Sequence, residues 1–299
     1  MLAKKSLFFA VVLLVFVVFL FGMTKLSMRE IPDDLNAVIN VIKKPQIIDK
    51  DGKPLNITYQ NKFNLHNIIS LHEIPEFLQQ VFILSEDKRF YEHGGIDWIA
   101  RINAIYQNLI TLKIKRGAST ISEQVIKMLH TRKRSFWTRW VEGWEAYELE
   151  LKFDKATILE FYLNQVPYTA QRRGLKQATI YYFKRNLNTL NQKEMLSLAV
   201  LIKAPSRQDL YKNTAKTDRD INILLDRLKK NNIISDKQIQ EIKTQTIDLV
   251  EKNNSTRTEH FINYIIKQNK IKNNNKIIKT TIDGNLQKIA QNLLLRFTS

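Results

Sequence analysis

Two stretches of this 299-residue chain are dense enough in reactive side chains to do chemistry. The first is Ser85-Glu86-Asp87-Lys88-Arg89-Phe90-Tyr91-Glu92-His93-Gly94-Gly95, directly after an apolar run. Adjacent carboxylates beside cations and a histidine can take or hold a proton, which general acid–base catalysis requires of a positioned group. A solvated helix end shares part of this composition, so the cluster alone supports either reading. The second is Arg116-Gly117-Ala118-Ser119-Thr120-Ile121-Ser122-Glu123-Gln124-Val125-Ile126-Lys127. A basic, glycine-containing loop entering a helix through Ser and Thr offers N–H groups and hydroxyls to an anion such as phosphate. Helical spacing keeps Glu123, Gln124 and Lys127 on one side. An ordinary N-cap is the plainer alternative.

The elements that must position these clusters read as helices. Apolar residues fall at helical spacing in FLQQVFILSEDKRFY, IARINAIYQNLITLKI and WVEGWEAYELELKF. KATILEFYLNQVPY is a further helix stopped by Pro167, and NQKEMLSLAVLIKAPS starts at Asn191 with Glu194 in the capping-box position. A helical pair is expected near 216–231 and 236–251. Two β pieces stand out: PQIIDKDGKPLNITY, with Asp51-Gly52 as a hairpin turn, and KIIKTTID over 276–283, followed by a last helix. With only 8 Gly and 6 Pro, a mainly α fold is expected.

Residues 6–23, SLFFAVVLLVFVVFLFGM, are uncharged and just long enough to cross a bilayer as a helix. Lys4 and Lys5 before them hold the N-terminus in the cytoplasm, although Lys25 and Arg29 beyond weaken that bias. A cleavable signal peptide would have a shorter apolar region and a small-residue cleavage site, so an uncleaved anchor is expected. The bulk of the chain then lies outside the inner membrane, which disfavours nucleic acid as a partner despite the net charge of +18. Roughly half of that excess is compositional bias, as in the solvated Lys267–Lys279 stretch. The absence of cysteine excludes disulfides, thiolate zinc sites and a cysteine nucleophile. His66, His72, His130 and His260 are too scattered to read as metal ligands. Trp137, Trp140 and Trp144 share one helix, where core or membrane-interface packing is favoured over sugar stacking.

The two clusters, with three more in order behind them, resemble the motifs of glycosyltransferase family 51. That family is the polymerising domain of class A penicillin-binding proteins and of monofunctional peptidoglycan glycosyltransferases. Glu86, Asp87, Phe90, His93 and Gly95 match E-D-x-x-F-x-x-H-x-G. Gly117, Ser119, Thr120, Ile121, Gln124 and Lys127 match G-x-S-T-I-x-Q-Q with its following lysine. Arg139 and Glu142 match R-K-x-x-E; Lys155, Ile158, Leu159, Tyr162, Leu163 and Asn164 match K-x-x-I-L-x-x-Y-L-N; Arg173, Gly174 and Ala178 match R-G-x-x-x-A. YLNQVPY and the run after it are most similar to the 1C type, and HFINYIIK…IIKTTIDGNLQKIA resembles the linker into a transpeptidase domain. The chain reaches Ser299 before a complete acylation set of S-x-x-K, S-x-N and K-T-G appears, so a chain truncated ahead of a transpeptidase, or a glycosyltransferase acting alone, is expected.

The resemblance implies a mainly α, lysozyme-like glycosyltransferase domain behind a single N-terminal transmembrane helix. The expected segments are tip and anchor over 1–24, a β-containing linker over 25–70, the catalytic domain over 71–250 and a second linker over 251–299. A smaller, membrane-dipping lobe is expected near 94–118. The implied reaction polymerises lipid II into β-1,4 glycan with inversion and release of undecaprenyl pyrophosphate. Glu86 is the implied general base and Glu142 the second catalytic carboxylate, in the donor subsite. Asp87, Ser119, Thr120, Gln124, Lys127, Arg139 and Arg173 are implied on the substrate side. Phe90, His93, Gly95, Gly117, Lys155, Tyr162 and Asn164 are implied to serve the fold. No obligatory cofactor is implied, though a divalent cation such as Mg or Mn has a place near Glu142 and Asp87. The implied partners are lipid II, the growing glycan, inner-membrane lipid and a separate transpeptidase.

Two positions depart from the family pattern. Glu123 replaces a glutamine and repels pyrophosphate unless Lys127 or Arg116 neutralises it, which lowers donor affinity. Thr138 replaces an arginine, a loss that Arg132, Lys133 or Arg134 could cover. A lytic, lysozyme-like hydrolase and a catalytically weak membrane scaffold are the rival readings.

Overall fold

A computed structural model describes residues 2–39, 45–55, 62–111, 118–169, 172–203, 209–212, 214–250, 261–262, 264–265, 268 and 277–297. Its elements in chain order are α1 (Leu2–Ser27), α2 (Leu35–Ile39), β1 (Gln46–Ile48), α3 (Glu76–Glu86), α4 (Trp98–Thr111) and α5 (Ile121–Leu129). Then come α6 (Phe136–Lys152), α7 (Lys155–Gln165), α8 (Gly174–Phe183), α9 (Gln192–Leu201), α10 (Thr214–Lys230), α11 (Asp236–Thr244), β2 (Ile277–Lys279) and α12 (Gly284–Phe297). The expected mainly α class holds.

The chain folds as two compact units. One comprises Met1–Asp33 and Glu86–Leu159, the other Asp34–Ser85 and Glu160–Ser299. These units cut across the segments expected from sequence.

In the first unit α1 contains Leu7–Ser27, 21 residues of mean hydropathy 2.9, long and apolar enough to cross a membrane. Its core lies where α5 packs on α6, around the buried Ile121, Val125, Ile126, Val141, Ala146 and Leu149. Ser135 caps α6 by accepting the Thr138 N–H. Asp97 heads α4, accepting the Ala100 N–H at 2.8 Å, and is paired with Arg89. Helix α4 buries only Ala104 among its residues and exposes Trp98, Ile99, Ile102, Ile105, Tyr106, Leu109 and Ile110.

In the second unit α9 is the central helix, with α8, α10 and α11 against it. The expected Asn191–Glu194 capping box is present. Helix α11 ends at Thr244 rather than near 251. The chain beyond turns its polar groups to other partners: Asn191 donates to Thr246 O, Asp248 N–H to Glu194 and Val250 N–H to Tyr182 O. The Asp51-Gly52 turn forms, with Gly52 at φ 82° and an antiparallel Ile48–Pro54 bridge. Residues 56–59 of the expected second arm lie outside the described residues. Among the described residues, Leu55 N–H bonds to Ile47 O, and β1 also pairs with β2, in parallel register from Gln46–Ile277 to Ile48–Lys279. Both strands are three residues long, too short to show their pairing by periodicity.

Candidate active site

Glu86 closes α3, and the turn after it is bolted to the start of α5 inside the first unit. Gly95 sits at φ 81°, and a Cβ there would lie 2.5 Å from the Ala146 and Tyr147 backbone, so only glycine fits against α6. The Gly95 carbonyl accepts the Thr120 hydroxyl at 2.7 Å. Asp87 accepts the Ile121 N–H at 2.9 Å and faces His93 Nε2 at 3.0 Å. Behind it, Glu150 accepts from Ser122 and pairs with Lys155 at 2.7 Å. Lys155 also donates to the His93 carbonyl at 2.7 Å and stands 4.5 Å from the Phe90 ring centroid. Phe90, His93, Gly95 and Lys155 thus hold the turn together. Glu150 was not anticipated, since nothing local marks it among the glutamates of α6.

This bolting occupies groups that the resemblance implies on the substrate side. Thr120 is a buried cap of α5, accepting the Glu123 N–H and donating to Gly95. Asp87 is buried and commits both oxygens inside the protein, so it orients the turn. The N–H groups of Ile121, Glu123 and Gln124 are already taken by Asp87, Thr120 Oγ1 and Thr120 O. The helix start is thus satisfied internally and offers little to an anion.

Gln124 Nε2 donates to Glu86 Oε2 at 3.1 Å, which orients the carboxylate. Lys127 Nζ donates to Ser119 Oγ at 2.9 Å. Burial lowers the Lys127 pKa, Glu123 and Glu142 push it back up, and Arg139 and Arg134 lower it further. Burial raises Glu142 above the usual carboxylate range, against the pull of Lys127 and Arg132. Lys127, Glu142 and the exposed Arg139 thus form one electrostatic group. Gly117 and Arg116 lie outside the described residues. Arg173, Tyr162 and Asn164 belong to the second unit. There Asn164 exchanges hydrogen bonds with the Ile69 backbone, Tyr162 is fully buried, and Arg173 reaches the Gln165 carbonyl at 3.4 Å. A cleft of ≈ 810 Å³ in that unit, lined by His72, Glu76, Lys176 and Arg185 among others, contains none of the motif residues.

Among the described residues, Glu123 takes its ion pair from a cation that the sequence did not single out. Arg101 of α4 reaches it at 2.8 Å, over the open face that Gly143 leaves and 5.5 Å from the Trp98 ring. Burial still raises the Glu123 pKa, opposed first by Arg101 and then by Lys127. We expect Arg101→Ala to cost about 3 kcal/mol by stranding a buried carboxylate. Adding Glu123→Gln should recover most of that loss. Thermal midpoints of the two single variants and the double variant check this; additive losses would refute the coupling.

Arg132 does not replace the arginine missing at Thr138. Its guanidinium is held at 2.5 Å by Glu145, a fully buried residue not singled out from sequence. Burial pushes Glu145 up, but Arg132, His130 and the Arg29 N–H outweigh it and hold the pKa at about 2. A depressed carboxylate stabilises the fold above its unfolded pKa, near 4.5, and loses that contribution as pH falls towards 2. An acid titration followed by circular dichroism should show this decline, and a Glu145→Gln variant should lack it. Lys133 and Arg134 are both exposed, and the Arg134 charge acts on Lys127. Among the described residues no group of three His, Asp or Glu is spaced to hold a metal ion. Asp87, implied with Glu142 near a divalent cation, directs its oxygens to the Ile121 N–H and to His93.

The transglycosylase family profile matches residues 51–229. The chain is 30% identical over 228 residues to penicillin-binding protein 4 of Bacillus subtilis, covering 76% of this chain and 36% of that protein. It is 28% identical over 307 residues to penicillin-binding protein 1F of the same species, covering 97% of this chain and 42% of that one. It is 31% identical over 196 residues to a monofunctional glycosyltransferase of Staphylococcus haemolyticus, covering 61% of this chain and 70% of that protein. The chain thus spans about a third of the length of the first of these relatives.

Proposed function

Because this chain belongs to the transglycosylase family, we propose that it polymerises lipid II into β-1,4 glycan strands at a membrane surface. The observation that carries this reading is Glu86, oriented by Gln124 on the same short helix that presents Lys127 to Ser119. Glu86 takes the proton of the acceptor GlcNAc C4 hydroxyl as its oxygen attacks C1 of the donor MurNAc. The bond from C1 to the pyrophosphate oxygen breaks with inversion, and undecaprenyl pyrophosphate leaves. Lys127 and Arg139 offset the charge that gathers on the leaving group. Glu142 stands beside them as the donor-side carboxylate.

The anchor and the exposed apolar face of α4 support a membrane-bound enzyme whose α4 dips into the bilayer. The bound orientation is single-pass, with the N-terminus cytoplasmic and the catalytic part on the outer side of the bacterial inner membrane. A separate transpeptidase would cross-link the product. Incubating the purified protein with labelled lipid II should yield long glycan. Cleavage of finished glycan without polymer would replace this reading by a hydrolase, and inertness towards both by a scaffold.

A further inference from the structure

The chain that leaves the anchor does not run free. Thr24 Oγ1 accepts from Trp140 Nε1 at 2.9 Å, and Ser27 Oγ from Trp137 Nε1 at 3.2 Å. Lys25 pairs with Glu148, and Lys152 donates to the Ile31 carbonyl at 2.8 Å and to Asp33 at 2.9 Å. Residues 24–33 are thus fastened along α6, the helix that carries Arg139 and Glu142. The central fastening is Glu145, one helical turn beyond Glu142. It accepts the Arg29 N–H at 2.6 Å, faces His130 Nδ1 at 3.1 Å and takes both arms of Arg132. Arg132 in turn donates to the Ser27 carbonyl at 3.2 Å. An apolar side chain would fill this wholly buried place at lower desolvation cost, so stability alone does not call for a carboxylate there. Two of its partners lead straight to the anchor's exit: one is the Arg29 backbone, the other grips Ser27.

We propose that Glu145 is a positioning residue that latches the exit of the membrane anchor to α6, and so fixes the height of Glu142 and Arg139 above the bilayer. The proposal rests on the lipid II reading for its consequence but not for the latch itself. A donor tethered in the bilayer by a long prenyl chain presents its pyrophosphate at headgroup level. A donor site whose height is fixed meets it there, whereas one on a slack tether samples many heights. A donor with a short, water-soluble prenyl chain carries no such constraint.

The test uses the full-length chain in phosphatidylglycerol-containing bilayer discs, with Glu145→Gln, Glu145→Ala and a Glu145→Met/Arg132→Met pair that refills the site with apolar volume. Amide hydrogen exchange at Arg29 should speed about tenfold in the alanine and double variants. It should change less in Glu145→Gln, which can still accept the Arg29 N–H. With lipid II in the disc, kcat/KM should fall about 10- to 100-fold. With the water-soluble short-chain donor it should stay near the parent value. A parallel fall with both donors would mean that Glu145 only supports the fold, and the proposal would be overturned. Unchanged exchange at Arg29 would overturn it as well. Were the parent inactive on both donors, the lipid II reading would fail, and the exchange result would still decide the latch.

Discussion

Glu86→Gln is expected to abolish polymerisation, lowering turnover about 10²- to 10⁴-fold while leaving the fold unchanged. Glutamine keeps a carbonyl oxygen that can accept the Gln124 N–H now directed at Glu86 Oε2. The turn behind it is held by Asp87, His93 and Thr120, none of which the substitution touches. What disappears is the ability to take a proton from the attacking hydroxyl. Single-turnover glycan synthesis from labelled lipid II, with thermal midpoints measured alongside, separates the two effects. A variant retaining more than about a tenth of the parental rate would remove Glu86 from the role of base.

Lys127→Met should be nearly as damaging, by about 10²- to 10³-fold, because it takes away the cation facing the leaving group. It also leaves Glu123 and Glu142 without a counter-charge they share, so the donor KM should rise while kcat falls. Lys127→Arg should restore part of the loss, since charge survives but the contact to Ser119 changes. The pH profile carries the same information. Burial lowers the Lys127 pKa, so the ammonium is lost at a lower pH than for an ordinary lysine, and the alkaline limb moves down accordingly. The negative charge of Glu123 opposes that shift. Glu123→Gln should therefore move the alkaline limb lower still. A limb that stayed in place or moved up would mean that Lys127 does not govern it.

Much of the positioning was legible because it is local. The Asn191 capping box, the Asp51-Gly52 turn and the helices bearing each motif depend on residues within a few positions of one another. The choice of Glu86, Lys127 and Glu142 as the proposed chemical set rests on motif order, which needs no knowledge of packing. The α5 start shows the limit of local reading. An S-T entry to a helix looks like an anion cradle, yet Asp87, 34 residues away from Ile121, had already filled it. The α3 end shows it too: Arg227, 143 residues on, donates to the Leu84 carbonyl and supports the helix end.

The amino-acid sequence alone determined the long apolar N-terminal helix, the mainly α class and the family. Only the tertiary structure decided which charges stand against which. Arg101 answers Glu123 from 22 residues away, and Glu145 takes Arg132 and the Arg29 N–H, the latter 116 residues away. Motif order implies Lys127, Arg139 and Arg173 on the substrate side but does not say which neighbouring cations stay available. Packing makes them unequal, because a carboxylate buried by the fold must claim a cation or a donor or else lose its charge. Arg101 and Arg132 are claimed in this way, whereas Lys127 donates to Ser119 and lies in the field of Glu123, Glu142, Arg139 and Arg134.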